Sequence, residues 1–139
     1  IGGAGLGNQQ HLFGFGKNLG IAFQLQDDYL DAFGDPDKFG KQVGGDIMAN
    51  KMTFLMIHAM ETGEGVKEQL LQLKDNGDAQ TKIAAVLQIY KDCKAGDWAK
   101  DVKEIYYRKA LNHLEETAVL SARKKELLAL AAHLLQREN

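Results

Sequence analysis

Apolar residues recur at three- and four-residue spacings along most of the chain, as expected for amphipathic helices. Two segments show this spacing most clearly: Ile83, Val86, Leu87, Ile89 and Tyr90, then Val102, Ile105, Tyr106 and Leu111. No stretch has the sustained alternation of apolar and polar residues that is typical of a half-buried strand. The pattern therefore predicts an all-α fold.

Clusters of glycine, proline and aspartate divide this pattern into helices. The predicted helices cover residues 13–33, 47–62, 66–74, 79–94, 98–116 and 122–137. The sequence Gly34-Asp35-Pro36-Asp37 ends the first helix, because proline cannot continue a helix. A loop dotted with glycine follows, and the carboxylate of Asp46 is predicted to cap the second helix.

The composition of the chain changes near residue 60. Of the 15 glycines, 11 lie between Gly2 and Gly45, and every acidic residue before Glu61 is an aspartate. Glutamate is the better helix former, so an ordinary solvated helix surface would contain some. We interpret the aspartate-rich part as a binding segment and residues 61–139 as a helical scaffold.

Charge and length restrict the possible functions. The 139 residues fit one domain or part of one, and a net charge of -2 gives no basic field for nucleic acid. Cys93 is the single cysteine and cannot form an intrachain disulfide, which fits a reducing, cytoplasmic location. No apolar run reaches the roughly 18–20 residues of a membrane-spanning helix. The sequence does not begin with methionine, which leaves a processed chain, a tagged and trimmed chain and a fragment of a longer protein as alternatives.

The segment FQLQDDYLD, residues 23–31, holds the first candidate chemistry. Asp27 and Asp31 are four residues apart and share one helix face, whereas Asp28 is rotated by about 100°. Like charges at this spacing repel, and a divalent cation would reverse that effect. Aspartate oxygens suit Mg²⁺. The alternative is a polar helix face without a ligand, but a purely solvated face would not need the surrounding apolar residues.

Two lysines follow the aspartates. Lys41 lies in the glycine-rich loop, and Lys51 is predicted to lie on the next helix. Gly44-Gly45 would let the backbone approach a ligand closely. Lysines opposite an aspartate pair fit an anion that is bridged to a metal, although either lysine alone could be an ordinary surface residue.

Residues 23–51, FQLQDDYLDAFGDPDKFGKQVGGDIMANK, resemble the second aspartate-rich region of the trans-isoprenyl diphosphate synthases, or polyprenyl synthetases. The family elements FQ-x-x-DD-x-x-D, G-D-P, G-K, G-x-D-I and a lysine occur in order. The detailed match covers about residues 14–54. The resemblance implies that residues 1–139 form the C-terminal part of the isoprenoid synthase helical bundle, with 14–54 as the segment that binds metal and diphosphate.

The resemblance also implies an activity, which is Mg²⁺-dependent condensation of isopentenyl diphosphate with an allylic diphosphate to give a longer isoprenyl diphosphate. By position, Asp27 would bind Mg²⁺ directly, and Asp28, Asp31 and Asp46 would act mostly through water or through contacts with the groups that hold the ion. Lys41 and Lys51 would bind the allylic diphosphate, so Asp27 and these lysines are the implied catalytic residues. Phe23 and Gln24 would line the place where the allylic tail meets isopentenyl diphosphate. Family members usually form homodimers.

The family uses two facing aspartate-rich helices, and the first is absent from the 26 residues before Asp27. We therefore expect half a metal site and no prenyl transfer by this chain alone. In this family, product length depends largely on residues near the first aspartate-rich helix, so this sequence does not predict it.

The sequence is also compatible with two alternatives. A catalytically inactive regulatory or structural homologue would share the same motifs. A calcium-binding module is suggested by Asp35, Asp37, Gly40 and Asp46 at positions 1, 3, 6 and 12 of an EF-hand loop. That fit fails at Phe39, which occupies a ligand position, and at position 12, where glutamate is expected.

Overall fold

A computed structural model describes residues 6–35, 43–75, 77–117 and 121–136, and all regular structure in these ranges is helical. The helices are α1 (Leu6–Phe33), α2 (Gly45–Met48), α3 (Phe54–Thr62), α4 (Val66–Leu73), α5 (Ala79–Asp92), α6 (Ala95–Glu115) and α7 (Ser121–Leu135). The all-α prediction is confirmed. None of the helices in these ranges combines the length and hydrophobicity that crossing a membrane requires.

The prediction of one helix over residues 47–62 is wrong, because the structure has two helices there with a non-helical link between them. Asn50 in this link has a φ of 55°, which interrupts the helix. Thr53 then caps α3, and its hydroxyl accepts a hydrogen bond of 3.1 Å from the Met56 N–H. Lys51 therefore lies in the link and not on a helix.

The predicted capping role of Asp46 is also wrong. The residue that caps α2 is Gly44, with a φ of 92°, and Asp46 lies inside the first turn. The close neighbour of Gly44 is a side chain: a Cβ added to it would lie 2.8 Å from Cδ1 of Ile83. The left-handed φ and this contact explain why glycine stands at position 44.

Two other boundaries differ from prediction. Helix α1 begins at Leu6, seven residues before the predicted start, and no proline interrupts this segment. The predicted break at residues 95–97 falls instead at Cys93 and Lys94, where Lys94 has a φ of 54°. Helix α6 consequently starts at Ala95.

The chain divides into two compact units, and α1 and α6 each contribute to both. The terminal unit consists of residues 6–26 and 101–136. Its core is a cluster of buried residues in α1, α6 and α7: Phe15, Leu19, Ala22, Ala110, Leu114, Ala131 and Leu135. Three of these residues are alanines with no exposed surface, which allows close packing of the helices.

The central unit consists of residues 27–100. Helix α5 packs against α2, α3 and α4, and its buried residues include Val86, Ile89 and Tyr90. The end of α1 contributes the buried Leu30 and Ala32 to this unit. Most of the candidate site residues lie here.

Candidate metal and diphosphate site

Two of the three aspartates in the DDYLD segment are buried and hold backbone groups of later segments. The exposed fractions of Asp28 and Asp31 are 3% and 1%. Asp28 Oδ2 accepts a 2.9 Å hydrogen bond from the Phe54 N–H, at the start of α3. Asp31 Oδ2 accepts a 2.9 Å bond from the Asp46 N–H in the first turn of α2. Both carboxylates thus satisfy donors at helix N-termini, where negative charge is favourable.

The main chain of Asp31 strengthens this arrangement. Its carbonyl oxygen accepts a 2.7 Å hydrogen bond from the Gly44 N–H. Asp31 therefore holds the turn before α2 through its backbone and the first turn of α2 through its side chain. This explains why the segment around Asp46 lies beside the aspartate-rich end of α1.

Lys51 lies between two carboxylates of the site. Its Nζ is 3.8 Å from Asp28 Oδ1 and 3.8 Å from Asp46 Oδ2. Asp46 Oδ2 is buried and accepts no hydrogen bond from the described residues. The Lys51 side chain is 46% exposed, so part of it remains accessible to an anion outside the protein. The structure thus brings Asp28, Asp31, Asp46 and Lys51 together, and their predicted roles in binding metal and diphosphate stay predictions.

Asp27 differs from its neighbours because its side chain is only partly buried. In the ranges that the structure describes, no group of three or more His, Cys, Asp or Glu side chains is arranged to hold a metal ion. Asp28 and Asp31 each use one carboxylate oxygen to accept a hydrogen bond from a backbone N–H. If Mg²⁺ binds here, Asp27 would hold it through one oxygen, and water and phosphate oxygens would complete its shell.

No described contact links the remaining predicted residues to this cluster. Phe23 and Gln24 are partly buried residues of the terminal unit, where Phe23 packs against the hydrophobic core. Lys41 lies outside the described residues, as does the EF-hand-like stretch at Asp37 and Gly40. The roles of Phe23, Gln24 and Lys41 therefore stay predictions.

Sequence reasoning missed Thr53 and Tyr90 as parts of the site. The Tyr90 hydroxyl is hydrogen-bonded to the Thr53 side chain, and Tyr90 is 1% exposed. Burial raises the pKa of Tyr90 to about 12, and the negative charges of Asp28, Asp46 and Asp31 add to this effect. The apolar spacing of α5 marked Tyr90 as a core residue, but no local signal indicated a polar contact. Thr53 could have been found as a helix N-cap.

The aspartate-rich segment lies within the part of the chain that matches a known family. A sequence model of the polyprenyl synthetase family matches residues 2–93, which include the whole cluster described above. The chain belongs to the polyprenyl synthetase family. A curated relative is the short chain isoprenyl diphosphate synthase of Methanothermobacter thermautotrophicus, 34% identical over 126 residues. That alignment covers 90% of this chain and 38% of the relative.

Solved structures of synthases have the same fold as this polyprenyl synthetase family member. A geranylgeranyl pyrophosphate synthase is 34% identical with a TM-score of 0.81, and the match covers 97% of this chain and 43% of that one. A polyprenyl synthase from Caulobacter crescentus, complexed with calcium and isoprenyl diphosphate, is 26% identical with a TM-score of 0.75. It matches 99% of this chain and 42% of its own. The chain thus spans about two fifths of the length of these relatives.

Proposed function

We propose that this chain supplies the second aspartate-rich half of an isoprenyl diphosphate synthase, a Mg²⁺-dependent prenyltransferase. The reaction joins isopentenyl diphosphate to an allylic diphosphate. The observation that carries the proposal is the family match over residues 2–93, a range that includes Asp27, Asp28, Asp31, Asp46 and Lys51. The name of the Methanothermobacter relative, a short chain isoprenyl diphosphate synthase, supports the same reaction class.

Prenyl transfer requires charge to develop on a leaving diphosphate. Bound Mg²⁺ would stabilise that charge electrostatically. In our proposal Asp27 holds the ion, because it is the most accessible of the three DDYLD carboxylates. Lys51 then provides a positive charge for the diphosphate, and Lys41 is proposed to provide another.

The buried aspartates position these groups and need not touch the substrate. Asp28 accepts from the Phe54 N–H and lies near Lys51, so it fixes both the start of α3 and the preceding link. Asp31 fixes the turn before α2, and with it Asp46. Water-mediated contacts from Asp28, Asp31 and Asp46 to the ion remain part of the proposal. Phe23 and Gln24 would line the place where the allylic tail meets isopentenyl diphosphate.

The Caulobacter crescentus structure supports the substrate class, since that protein was crystallised with calcium and isoprenyl diphosphate. A divalent cation and a prenyl diphosphate are the two ligands that we propose here. We further propose that residues 1–139 form the C-terminal part of one all-helical synthase domain, with 14–54 as the binding segment and 61–139 as the scaffold. The complete synthase would act as a homodimer.

Turnover by a complete synthase chain that contains this sequence tests the proposal. The chain is incubated with Mg²⁺, isopentenyl diphosphate and geranyl diphosphate, and products are identified by mass spectrometry. We expect Asp27→Ala to reduce product formation by about 100-fold or more. The matched control is Asp101→Ala, which removes an exposed aspartate of the terminal unit and should leave turnover unchanged.

The outcome separates the proposed enzyme from its alternatives. A folded, complete chain that makes no prenyl product would favour an inactive regulatory homologue. Tight Ca²⁺ binding that needs no diphosphate would favour the EF-hand-like alternative, which the family match does not support. Turnover by residues 1–139 alone would contradict the expectation that this chain holds half of the metal site.

A further inference from the structure

The central unit contains a cavity that the proposed reaction does not use. Its volume is about 410 Å³, within the range of about 300–1,000 Å³ that is typical of ligand pockets. Met52, Met56 and Met60 line it together with leucines of α4, among them Leu70, and Val86 of α5. Methionine side chains are flexible and polarisable, so they adapt to apolar ligands of varied shape.

A buried lysine forms part of the wall. Lys82 is 3% exposed, and its Nζ donates to Asn50 Oδ1 at 2.6 Å and to the Lys74 carbonyl oxygen at 3.0 Å. Both acceptors are uncharged. An ammonium group has three N–H donors, so these two bonds leave one for a further acceptor. Within the described residues, no carboxylate forms an ion pair with Lys82.

The charged residues that line the cavity are all positive. Lys67 and Lys74 also line it, both with exposed side chains, and no aspartate or glutamate does so among the described residues. A buried ammonium without a counter-charge is costly, and an anion placed beside it would offset that cost. An apolar wall of methionines joined to three lysines is therefore complementary to a molecule with an aliphatic chain and an anionic end.

We propose that this cavity binds a single-chain anionic amphiphile. The phosphate or carboxylate head would pair with Lys82, and the aliphatic chain would pack against Met52, Met56 and Met60. Neither Asp27 nor Lys51 lines the cavity, so the site is separate from the proposed diphosphate site. Binding of an amphiphile in this cavity therefore does not depend on whether the chain takes part in prenyl transfer.

The methionines themselves provide the test. The chain has four methionines, and Met48 is the one that does not line the cavity. In a chain labelled with ¹³C at the methionine methyl groups, dodecyl phosphate is titrated below its micelle-forming concentration. We expect saturable shifts of the Met52, Met56 and Met60 signals, with the Met48 signal unchanged. No saturable shift, or equal shifts of all four signals, would overturn the proposal.

Ligands with the same chain and different heads test the charge complementarity. We expect dodecyl phosphate or dodecanoate to bind more tightly than dodecanol, and dodecyltrimethylammonium to bind least. Equal binding of the neutral alcohol and the anions would refute the role of Lys82. Farnesyl phosphate in place of dodecyl phosphate then distinguishes an isoprenoid source of the ligand from a straight-chain one.

A pair of variants on α5 tests the lysine directly. Lys82→Met should weaken dodecyl phosphate binding by about tenfold and leave dodecanol binding unchanged. Lys91→Met makes the same change at an exposed position of the same helix and should have no effect. An unchanged affinity in folded Lys82→Met would contradict the proposal. If Lys82→Met does not fold, the titration of the unmodified chain still decides the question.

Discussion

Replacement of Asp28 by alanine should destabilise the central unit more than the same replacement of the adjacent Asp27. Asp28 is buried and accepts a hydrogen bond from the Phe54 N–H at 2.9 Å. Asp27 is only partly buried. The two substitutions remove the same atoms from neighbouring positions of α1, so they form a matched pair.

The magnitude follows from the contacts of Asp28. A hydrogen bond to a charged group contributes about 1.5–3 kcal/mol. The ion pair with Lys51 at 3.8 Å adds at most about 1 kcal/mol, because Lys51 is half-exposed. The substitution also removes one negative charge, and the reduced repulsion among the neighbouring aspartates offsets about a few tenths of a kcal/mol of the lost stability. We therefore expect Asp28→Ala to lower the free energy of unfolding by about 2–4 kcal/mol, and Asp27→Ala to lower it by less than about 1 kcal/mol.

Urea unfolding followed by tryptophan fluorescence measures this difference. Trp98 is the single tryptophan and lies in the central unit, stacked on the His58 ring at a centroid distance of 4.2 Å. Its emission therefore reports on the unit that contains Asp28. An Asp28→Ala variant within about 0.5 kcal/mol of the original chain, or equal losses in both variants, would refute the capping role of Asp28.

Two further predictions concern Tyr90 and Gly44. Because the pKa of Tyr90 is raised to about 12 from 10.0, its contribution to stability is complete below pH 10 and is lost as pH rises towards 12. In urea titrations, the free energy of unfolding should fall over that interval, and Tyr90→Phe should reduce this fall by up to about 3 kcal/mol. A fall of the same size in Tyr90→Phe would contradict the raised pKa of Tyr90. Gly44→Ala should cost about 1–2 kcal/mol, because its φ is 92° and the new Cβ would meet Ile83. Gly20→Ala, in open space on α1, should be neutral or stabilising by up to about 1 kcal/mol, so equal thermal shifts for both would contradict this explanation.

The sequence was sufficient to predict the helical class and the family, because helical periodicity and motif spacing are local properties. It was not sufficient to predict the break in residues 47–62. The left-handed Asn50 is held by a hydrogen bond from Lys82, which is 32 residues away. Its effect on the helix therefore depends on a tertiary contact that no local pattern contains.

The different burial and contacts of the three DDYLD aspartates could not be predicted from the sequence for the same reason. Helical geometry places Asp27 and Asp31 on one face, but it does not show which part of that face becomes covered. The partner of Asp31 is the Asp46 N–H, 15 residues later, and the partner of Asp28 is the Phe54 N–H, 26 residues later. These long-range bonds distinguish buried carboxylates that hold the backbone from the partly exposed Asp27.

Paramagnetic NMR with Mn²⁺ in place of Mg²⁺ tests most directly whether Asp27 holds a metal–diphosphate complex. Mn²⁺ is added to the isotope-labelled chain together with inorganic diphosphate, and broadening of the backbone amide signals is measured. We expect selective broadening around Asp27 and Lys51, its loss in Asp27→Ala, and its persistence in Asp101→Ala. Absence of broadening at these residues, or broadening that survives in Asp27→Ala, would contradict the metal-binding role of Asp27.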